Sequence, residues 1–424
     1  MRVPMASICI CMLANTSALA QTPRSAPPVG QVLPTVRLFL DCQDVRCDTQ
    51  YIRTEVAFVD HVRERKDADV HLLITAQGAG SGGRQYTLSF IGQQSFDGIN
   101  DTLTFDTQQS DTEEVTRREL VRVIKLGLTR YVTHSRLGAN LQLTFRPSDQ
   151  PQKETAARQA HDPWNYWVFR TRFSGRSNGE QRTKSKSFEG NITVNRTTDA
   201  WKVNVSNNAR YNDSKYKFSD GSTYTGVTRS WGSDGILVKS LTGHWSAGLR
   251  AGVSSSTYNN LDLAVWAAPA VEWNFFPYTE ATTHQLTVEY DLGFQAVDYR
   301  IETVYGKLSE RLLSHAVAVS LDVKRTWGSV RADFDFSQYL SDVSKYRISV
   351  GGETDLRLFK GLSLSIDASG SKVRDQLYLP KGDATDEEVL ARQRQLATGY
   401  RYSFSVGISF TFGSIYNNIV NTRM

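Results

Sequence analysis

The sequence predicts two structural parts: an α+β domain, followed by an all-β antiparallel transmembrane β-barrel of about 12 strands. Three observations predict this fold class. The chain opens with a secretory signal pattern, yet no run of roughly eighteen apolar residues could form a membrane-spanning helix. Helical spacing of apolar residues occurs only before residue 148, and long alternating segments recur between residues 163 and 414.

The first twenty residues indicate export. Arg2 precedes an apolar run from Ile8 to Leu13, and Ala18-Leu19-Ala20 resembles a cleavage site. We therefore assign residues 1–20 to a signal peptide and the Pro-rich residues 21–34 to a leader. Removal of Arg2 lowers the formal net charge from +5 to +4, which is nearly neutral for this length and indicates no nucleic-acid partner.

Two cysteines remain after signal cleavage, Cys42 and Cys47. An even cysteine count in an exported chain favours a disulfide. Two free thiols are the alternative, because a separation of five residues must be closed by a tight turn.

Residues 35–147 are predicted to form the α+β domain, with strands at 36–40, 69–77, 84–92 and 101–107. Asp48 or Thr49 caps a first helix whose apolar residues follow helical spacing: Ile52, Val56, Val59 and Val62. Ser110 and Glu113 form a capping box for a second helix, which carries Leu120, Ile124, Leu128 and Tyr131. The polar, unpatterned residues 148–162 are predicted to be a linker.

Twelve alternating segments follow, within a barrel predicted to span residues 163–414. Most reach the roughly 9–11 residues that a tilted strand needs to cross hydrocarbon. Pro269 predicts a bulge or break in the sixth. The segments are 165–175, 187–195, 201–211, 226–240, 245–256, 263–276, 284–297, 316–326, 329–337, 346–359, 362–371 and 400–412.

Connections and aromatic residues support a membrane barrel over its alternative, a secreted β-sandwich. Even-numbered connections are mostly short and odd-numbered ones longer, as in outer-membrane barrels. Tyrosines gather at the long-loop ends, and tryptophans form a predicted periplasmic girdle at the short-turn ends. The girdle residues are Trp164, Trp167, Trp201, Trp245, Trp273 and Trp327.

The polar face of the alternating segments carries many charges. Because a charge facing lipid costs about 2–4 kcal/mol near the midplane, these residues are predicted to line the lumen. Mixed signs leave two alternatives open, a narrow channel or an interior closed by cross-strand ion pairs. The predicted lumen-lining residues are Glu289, Asp291, Asp322, Lys324, Arg331, Asp333, Asp335, Arg347, Glu353, Asp355, Arg357, Asp367 and Arg401.

Five further cations are predicted to lie on extracellular loops, where they either meet lipopolysaccharide phosphates or are ordinary solvated charges: Arg182, Lys184, Lys186, Lys215 and Lys217.

No catalytic, metal or cofactor site is predicted. A lipid hydrolase would need a nucleophile beside a histidine at the membrane boundary, and the barrel histidines are His244, His284 and His315. None of these histidines lies beside a G-x-S-x-G elbow in the sequence, and His315 is interpreted as an interfacial side chain. The Gly-rich residues 78–83 precede no helix, Lys or Thr of a phosphate loop, and are interpreted as a hairpin turn.

Residues 36–131 carry Ala68 and Asp69 before an apolar strand, Gly83 in a Gly-rich turn, and Tyr86 and Leu88 in the following strand. This segment resembles the small amino-terminal domain of the Tol–Pal system's periplasmic propeller protein and the related domain of curli-export lipoproteins. The resemblance implies a periplasmic module that docks onto another protein. The chain has no propeller and no lipobox, so Tol or export function is not implied.

The last strand ends in aromatics and resembles the β-signal read by the barrel-assembly machinery, through Tyr400, Tyr402, Phe404, Phe410 and Phe412. It is expected to close the barrel against the first strand. Residues 415–424 extend past the usual end of that signal, as in tailed barrels of an uncharacterised outer-membrane family. Ile415, Tyr416, Ile419 and Val420 of this predicted periplasmic tail are expected either to pack on the α+β domain or to enter the barrel mouth.

Together these patterns predict a porin-like outer-membrane protein of a Gram-negative envelope, with its N-terminal domain in the periplasm. The predicted function is a small-solute channel or gated pore. The alternatives are an anchoring protein that binds a periplasmic partner, and a barrel enzyme acting on membrane lipids. The expected partners are outer-membrane lipid and lipopolysaccharide, the assembly machinery during biogenesis, and a periplasmic protein.

Overall fold

The structure is a computed structural model that describes residues 35–79, 83–108, 110–142, 164–385, 387–388 and 395–418. The predicted signal peptide, leader and linker lie outside the described residues, as do Ile419 and Val420 of the tail.

The N-terminal part is a five-stranded sheet in the order β2-β1-β3-β4-β5 with two helices. β1 runs parallel to β2 and β3, and β3, β4 and β5 are antiparallel. The elements are β1 (Arg37–Cys42), α1 (Thr49–Glu55), β2 (Asp60–His61), β3 (Val70–Gly78), β4 (Arg84–Gly92), β5 (Asn100–Asp106) and α2 (Glu113–Val132), with short 3-10 turns at Arg65–Asp67, Gln94–Phe96 and Arg136–Asn140.

The helix boundaries differ in part from the predicted ones. Asp48 caps α1 by accepting a hydrogen bond from the Tyr51 amide, but α1 ends at Glu55, so the buried Val59 and Val62 follow it rather than lie on it. Thr112 caps α2, because its hydroxyl accepts the Val115 amide. The capping box at Ser110 was therefore wrong by two residues.

The core of this part lies between α2 and one face of the sheet. Ile124, Leu128 and Tyr131 are fully buried, as is Phe90 of β4. A Cβ atom on Gly127 would lie 2.2 Å from Cζ of Phe90. Only glycine therefore lets α2 approach the sheet this closely.

The second part is a twelve-stranded antiparallel sheet in which each strand pairs with its neighbours in sequence. The predicted fold class, an α+β domain followed by about twelve antiparallel strands, is confirmed. The strands are β6 (Trp167–Gly179), β7 (Thr183–Thr197), β8 (Trp201–Lys217), β9 (Thr223–Ser240), β10 (Trp245–Ser256), β11 (Leu261–Asn274), β12 (His284–Tyr299), β13 (Ser309–Arg325), β14 (Gly328–Tyr339), β15 (Tyr346–Phe359), β16 (Leu362–Val373) and β17 (Tyr400–Phe410).

Several strands extend further toward the long-loop end than predicted. β13 begins at Ser309 rather than at residue 316, and β7 begins at Thr183 rather than at 187. The loops at that end are correspondingly short, at 180–182, 218–222, 257–260, 300–308 and 340–345, with only 374–399 remaining long. The turns at the opposite, short-turn end are 198–200, 241–244, 275–283, 326–327 and 360–361.

The bulge predicted at Pro269 is not found, whereas a break in the pairing does occur on one side of the strand. β11 runs unbroken past this residue, and Leu249 of β10 remains its register partner. The pairing of β11 with β12 skips Ala268 and Pro269 but resumes in the same register at Ala270. A missing N–H thus interrupts the ladder on one side without inserting a bulge.

The sheet has two chemically distinct faces, because directly opposed residues of an antiparallel sheet share a face. One row crossing six strands is Leu286, Leu321, Ala332, Gly352, Ala368 and Phe404. The adjacent row is Gln285, Asp322, Arg331, Glu353, Asp367 and Ser405. We name these the apolar face and the polar face.

The apolar face is widely exposed, with Phe173 at 78%, Ile408 at 74% and Phe412 at 79%. β6 and β17 form the two ends of the sheet and are not hydrogen-bonded to one another among the described residues. The expected closure of the last strand against the first is therefore absent from this structure. No helix in the described ranges is long and apolar enough to cross a membrane.

Candidate functional site at the junction of the two parts

Both faces of β3 are buried, although the helices cover only one of them. Leu72 and Ile74 point into the helical core, whereas His71 and Leu73 point to the opposite side and are 0% and 4% exposed. That opposite side meets the short-turn end of the twelve-stranded sheet. The N-terminal part is therefore docked directly onto the strands.

The centre of the junction is a buried carboxylate on β1. Asp41 is 2% exposed and receives both arms of the Arg357 guanidinium from β15, with Nη2 2.5 Å from Oδ1 and Nη1 2.7 Å from Oδ2. Nε2 of His71 lies 2.9 Å from Oδ2 of Asp41. The guanidinium also stacks 5.5 Å from the ring centroid of Phe39, so the ion pair is shielded on one side.

The pKa values of both titratable groups in this cluster, Asp41 and His71, are lowered. Burial alone would raise the pKa of Asp41, but hydrogen bonds from His71 and Arg357 outweigh it and lower that pKa. Burial lowers the pKa of His71 despite Asp41. A neutral His71 that donates from Nε2 to an ionised Asp41 agrees with both pKa shifts. Its Nδ1 is then a buried atom with no hydrogen-bond partner among the described residues.

The predicted disulfide is confirmed, and it closes a loop that supplies the second contact. Cys42 and Cys47 are bonded, and within their loop Asp44 adopts a positive φ of 56°, which aspartate tolerates better than most residues. Oδ2 of Asp44 lies 2.9 Å from Nζ of Lys324 and 3.3 Å from Nη2 of Arg331.

The environment of this loop favours the charged carboxylate. Burial would raise the pKa of Asp44, but the hydrogen bond from Lys324 and the charges of Lys324 and Arg331 lower it overall. The neighbouring Gln43 donates through Nε2 to the backbone carbonyl of Arg325 at 3.0 Å. The disulfide loop thus contacts both β13 and β14.

A third contact lies beside the turn between β15 and β16. Nζ of Lys360 is 2.7 Å from Oδ2 of Asp67, and the Gly361 amide donates to Oε2 of Glu64 at 3.0 Å. Between these groups and Phe39 lies a cavity of about 190 Å³.

The C-terminal tail pairs with the free edge of β2. Tyr416 bridges Val62 in antiparallel orientation, the Arg63 amide donates to the Ile415 carbonyl at 2.8 Å, and the Asn417 amide donates to the His61 carbonyl at 2.7 Å. The Asn418 side chain also binds Asp60 and the His61 amide. The described part of the tail therefore packs on the α+β domain, as one of the two predicted alternatives has it, and extends the sheet of that domain.

All thirteen predicted lumen-lining residues lie on the polar face. The structure brings Asp322, Lys324, Arg331 and Arg357 together at the junction. The others lie elsewhere on that face: Glu289 pairs with Arg250 at 2.6 Å, Asp333 accepts from Ser320, and Arg347 pairs with Asp375 at 2.8 Å.

Sequence reasoning missed several charges that share this face. Cations outnumber anions on the polar face of β6–β10, whereas anions outnumber cations on the polar face of β11–β17, so the two halves of this face carry opposite net charge. The missed cations are Arg170, Arg172, Arg176, Lys202, Arg210 and Arg250, and the missed anions are Glu189, Asp234, Glu272 and Glu310. The sequence did contain a signal for them: each occupies a position that alternation along its strand places on the polar face.

The described residues of the connection 374–399 lie over the opposite, long-loop end of the sheet. The Val304 amide donates to the Leu379 carbonyl, and Asn260 donates to the Tyr378 carbonyl. Tyr378 also lines a cavity of about 300 Å³, together with Arg347 and Arg401 of the polar face.

The predicted girdle residues lie at the short-turn end. Trp245 and Trp273 are cross-strand partners, and Trp201 contacts the Lys239 ammonium. Of the predicted assembly-signal residues, Tyr400, Tyr402, Phe404 and Phe410 are exposed on the apolar face of β17, and Phe412 is exposed just beyond it. His315 lies on the apolar face within β13, against the rings of Tyr290 and Phe336.

In the part of the chain that is described, no cluster of His, Cys, Asp and Glu is arranged to hold a metal ion. No protein-family model matches the sequence, and no curated protein matches it. The resemblance of residues 36–131 to the Tol–Pal and curli-export domains therefore stays a prediction.

Solved structures with a similar strand arrangement include a porin, NanC, at 9% identity, covering 57% of this chain and 99% of that chain with a TM-score of 0.28. The β domain of the Bordetella autotransporter BrkA matches at 12% identity, covering 58% and 98% with a TM-score of 0.26. CdiB from Acinetobacter baumannii matches at 8% identity, covering 89% and 74% with a TM-score of 0.29.

Proposed function

We propose that the chain is an outer-membrane β-barrel whose N-terminal domain docks on the periplasmic mouth and gates a channel for small polar solutes. The membrane location rests on the exposed apolar face. Its large side chains run across neighbouring strands, as in the row from Leu286 to Phe404, and water would not favour so large an exposed apolar area. Strands of 11 to 18 residues are long enough to cross the bilayer.

The observation that supports gating is that the cations at the junction come from the polar face of the twelve-stranded sheet. Arg357, Lys324 and Arg331 belong to the polar face, yet they bind Asp41 and Asp44 of the N-terminal part. The same side chains therefore line the lumen side and hold the domain. A change in docking changes the charge that the lumen presents.

The polar face offers space for a hydrated solute. A cavity of about 720 Å³ is lined by Arg210, Asn212 and Ser214 toward the long-loop end. A second, of about 420 Å³, contains Lys202, Arg250 and Glu289 toward the short-turn end. In a closed barrel the basic half of the polar face, on β6–β10, would face the acidic half on β11–β17. Such a lumen suits a small zwitterionic or polar solute better than a strongly charged one.

Single-channel recording in planar bilayers tests the channel. The full-length protein is expected to show small or intermittent conductance, and the double variant Asp41→Asn/Asp44→Asn is expected to show larger and longer openings because the domain releases. Asp101→Asn, a change on β5 away from the junction, serves as the matched control. Absence of conductance in folded wild-type and double-variant protein would refute the channel.

An anchoring role is the second candidate, favoured by the number of bonds that fix the domain. The disulfide loop, the Lys360–Asp67 pair and the tail all hold it at the mouth. None of the described residues covers Leu126 on the outer side of α2, which is 54% exposed and accessible to a partner. A pull-down that loses its periplasmic partner on Leu126→Asp, combined with no conductance, would favour the anchor.

A lipid hydrolase is the third candidate. His315 has aromatic rings on either side, and its Nε2 lies 3.3 Å from Oε1 of Gln338, which is the setting of an interfacial side chain. Loss of a phospholipase activity on His315→Ala would favour this candidate over the other two.

A further inference from the structure

A two-zone surface lies on the apolar face of β6–β9, away from the junction. Its lower zone is a groove of about 680 Å³ lined by Phe173, Phe188, Tyr211 and Trp231. The lining is almost entirely apolar, and all four rings face outward from the sheet. An apolar groove of this size accepts an acyl chain.

Two glycines create the groove. The ring of Phe173 lies across Gly190, where an added Cβ would be 3.2 Å from its edge, and the ring of Phe188 lies across Gly175 at 3.4 Å. Each ring can lie flat because its cross-strand neighbour has no side chain.

The upper zone consists of cations that lie beside the rings and in the two rows above them. Arg229 lies 5.6 Å from the Tyr211 ring centroid and is its register partner. One row higher Lys186 opposes Asp213, and the next row pairs Lys184 with Lys215. The prediction that these lysines lie on loops was wrong, since β7 and β8 continue through them.

The pairing of Lys184 with Lys215 is itself informative. Like charges directly opposite each other destabilise an antiparallel pair, and neither lysine forms an ion pair with any of the residues that the structure describes. An anion bound between them would remove this repulsion. Phosphate is well suited, since it offers several strong acceptors to more than one cation.

We propose that this surface binds a phosphorylated glycolipid of the outer leaflet, with an acyl chain in the aromatic groove and phosphates on Lys184, Lys186, Lys215 and Arg229. The vertical order of the two zones, apolar below and basic above, matches the order of acyl chain and headgroup in a leaflet. The inference rests on the proposed membrane location but not on channel activity.

Native mass spectrometry of the full-length protein in detergent provides the test. The probe is a bisphosphorylated, multiply acylated lipid A. The double variant Lys184→Glu/Lys215→Glu is expected to weaken its binding at least about tenfold, given two charge-assisted contacts reversed in sign. Gly190→Leu, which fills the groove, is expected to weaken binding while leaving the cations in place.

The matched control is Arg196→Glu/Lys239→Glu, because these cations lie on the same face of β7 and β9 at the opposite end, near Trp167 and Trp201. The control is expected to bind within about twofold of wild type. Equal binding of a dephosphorylated lipid, equal competition by inorganic phosphate alone, or unchanged binding in the lysine variant would each overturn the proposal. Conductance of the same protein is recorded in parallel. Loss of lipid binding with conductance retained contradicts the lipid proposal alone, and loss of conductance with lipid binding retained contradicts the channel alone.

Discussion

Arg357 and Asp41 are 316 positions apart, yet the guanidinium makes a two-point ion pair with a carboxylate whose side chain is fully buried. Such a pair adds little net stability when both partners are present, but leaving one partner uncompensated is costly. The pair therefore makes docking specific. An undocked state must either hydrate Asp41 or protonate it.

Replacing Arg357 tests this contact. Arg357→Gln is expected to weaken docking by about 2 kcal/mol, since it removes hydrogen bonds to a charged group and the arginine itself is partly exposed. Amide exchange at Gly361 and Asn417, whose N–H groups donate across the junction, should then accelerate severalfold or more.

Arg325→Gln is the control for that measurement. Arg325 follows Lys324 on β13 but lies on the apolar face, where its side chain contacts His284. Unchanged exchange in Arg357→Gln would mean that the ion pair does not hold the domain.

Docking is expected to weaken as the pH falls from about 7 to 5. Burial is the main cause that lowers the pKa of His71. Of the charged groups that face it, Arg357 and Arg65 lower this pKa further and Asp41 raises it. Undocking removes Arg357, so His71 gains a proton more readily and the pKa of Asp41 rises. The undocked state binds more protons, and acid favours it below the ordinary histidine pKa of about 6.5.

Spin labels at Arg118 of α2 and Lys372 of β16 report this change as a broader distance distribution at low pH. His71→Gln, which cannot titrate, is expected to show a flat response until the carboxylate range below about pH 4. A wild-type distribution that is unchanged at pH 5 would contradict the prediction.

The disulfide is expected to stabilise the N-terminal part by about 2 kcal/mol, the value for closing a very short loop. Cys42→Ser/Cys47→Ser should lower the urea midpoint of the helical circular-dichroism signal, because α1 and α2 belong to this domain. Asp44→Asn keeps the disulfide and removes the ion pairs to Lys324 and Arg331. It should weaken docking with a smaller change in that midpoint.

Strand positions in the large sheet followed from alternation alone, because exposed and polar faces impose a strict period of two. The strand ends were less predictable. Lys184 and Lys215 interrupt the apolar pattern, so they read as loop residues, although backbone pairing continues through them. Side-chain pattern reports the environment of a strand, not the extent of its hydrogen bonding.

The junction could not be predicted from the sequence, since its partners are distant in the chain. Asp41 and Asp44 lie on either side of Cys42, and His71 interrupts an apolar strand. None of these local patterns indicates that Arg357 or Lys324 is a partner. One signal was available. β3 is apolar on both of its faces at Leu72 and Leu73, which indicates a strand covered on both sides.

The tail contact is expected to depend on one backbone donor. Asn417→Pro removes the N–H that donates to the His61 carbonyl, whereas Asn417→Ala keeps it. The proline variant should accelerate exchange at Arg63, whose amide pairs with Ile415, and the alanine variant should not. Equal exchange in both variants would show that the tail does not pair with β2 in solution.

The seam between β6 and β17 should close in a bilayer. An unpaired edge exposes a row of N–H and C=O groups, and each such group costs several kcal/mol in hydrocarbon because no water can satisfy it. The two end strands can meet this demand only by pairing, which also keeps the aromatic residues of β17 toward lipid. Hydrogen exchange in nanodiscs is expected to protect the amides of Thr171 and Val406 as strongly as that of Val319 in the central β13. Rapid exchange at the seam, with slow exchange in β13, would mean that the sheet remains open in the membrane.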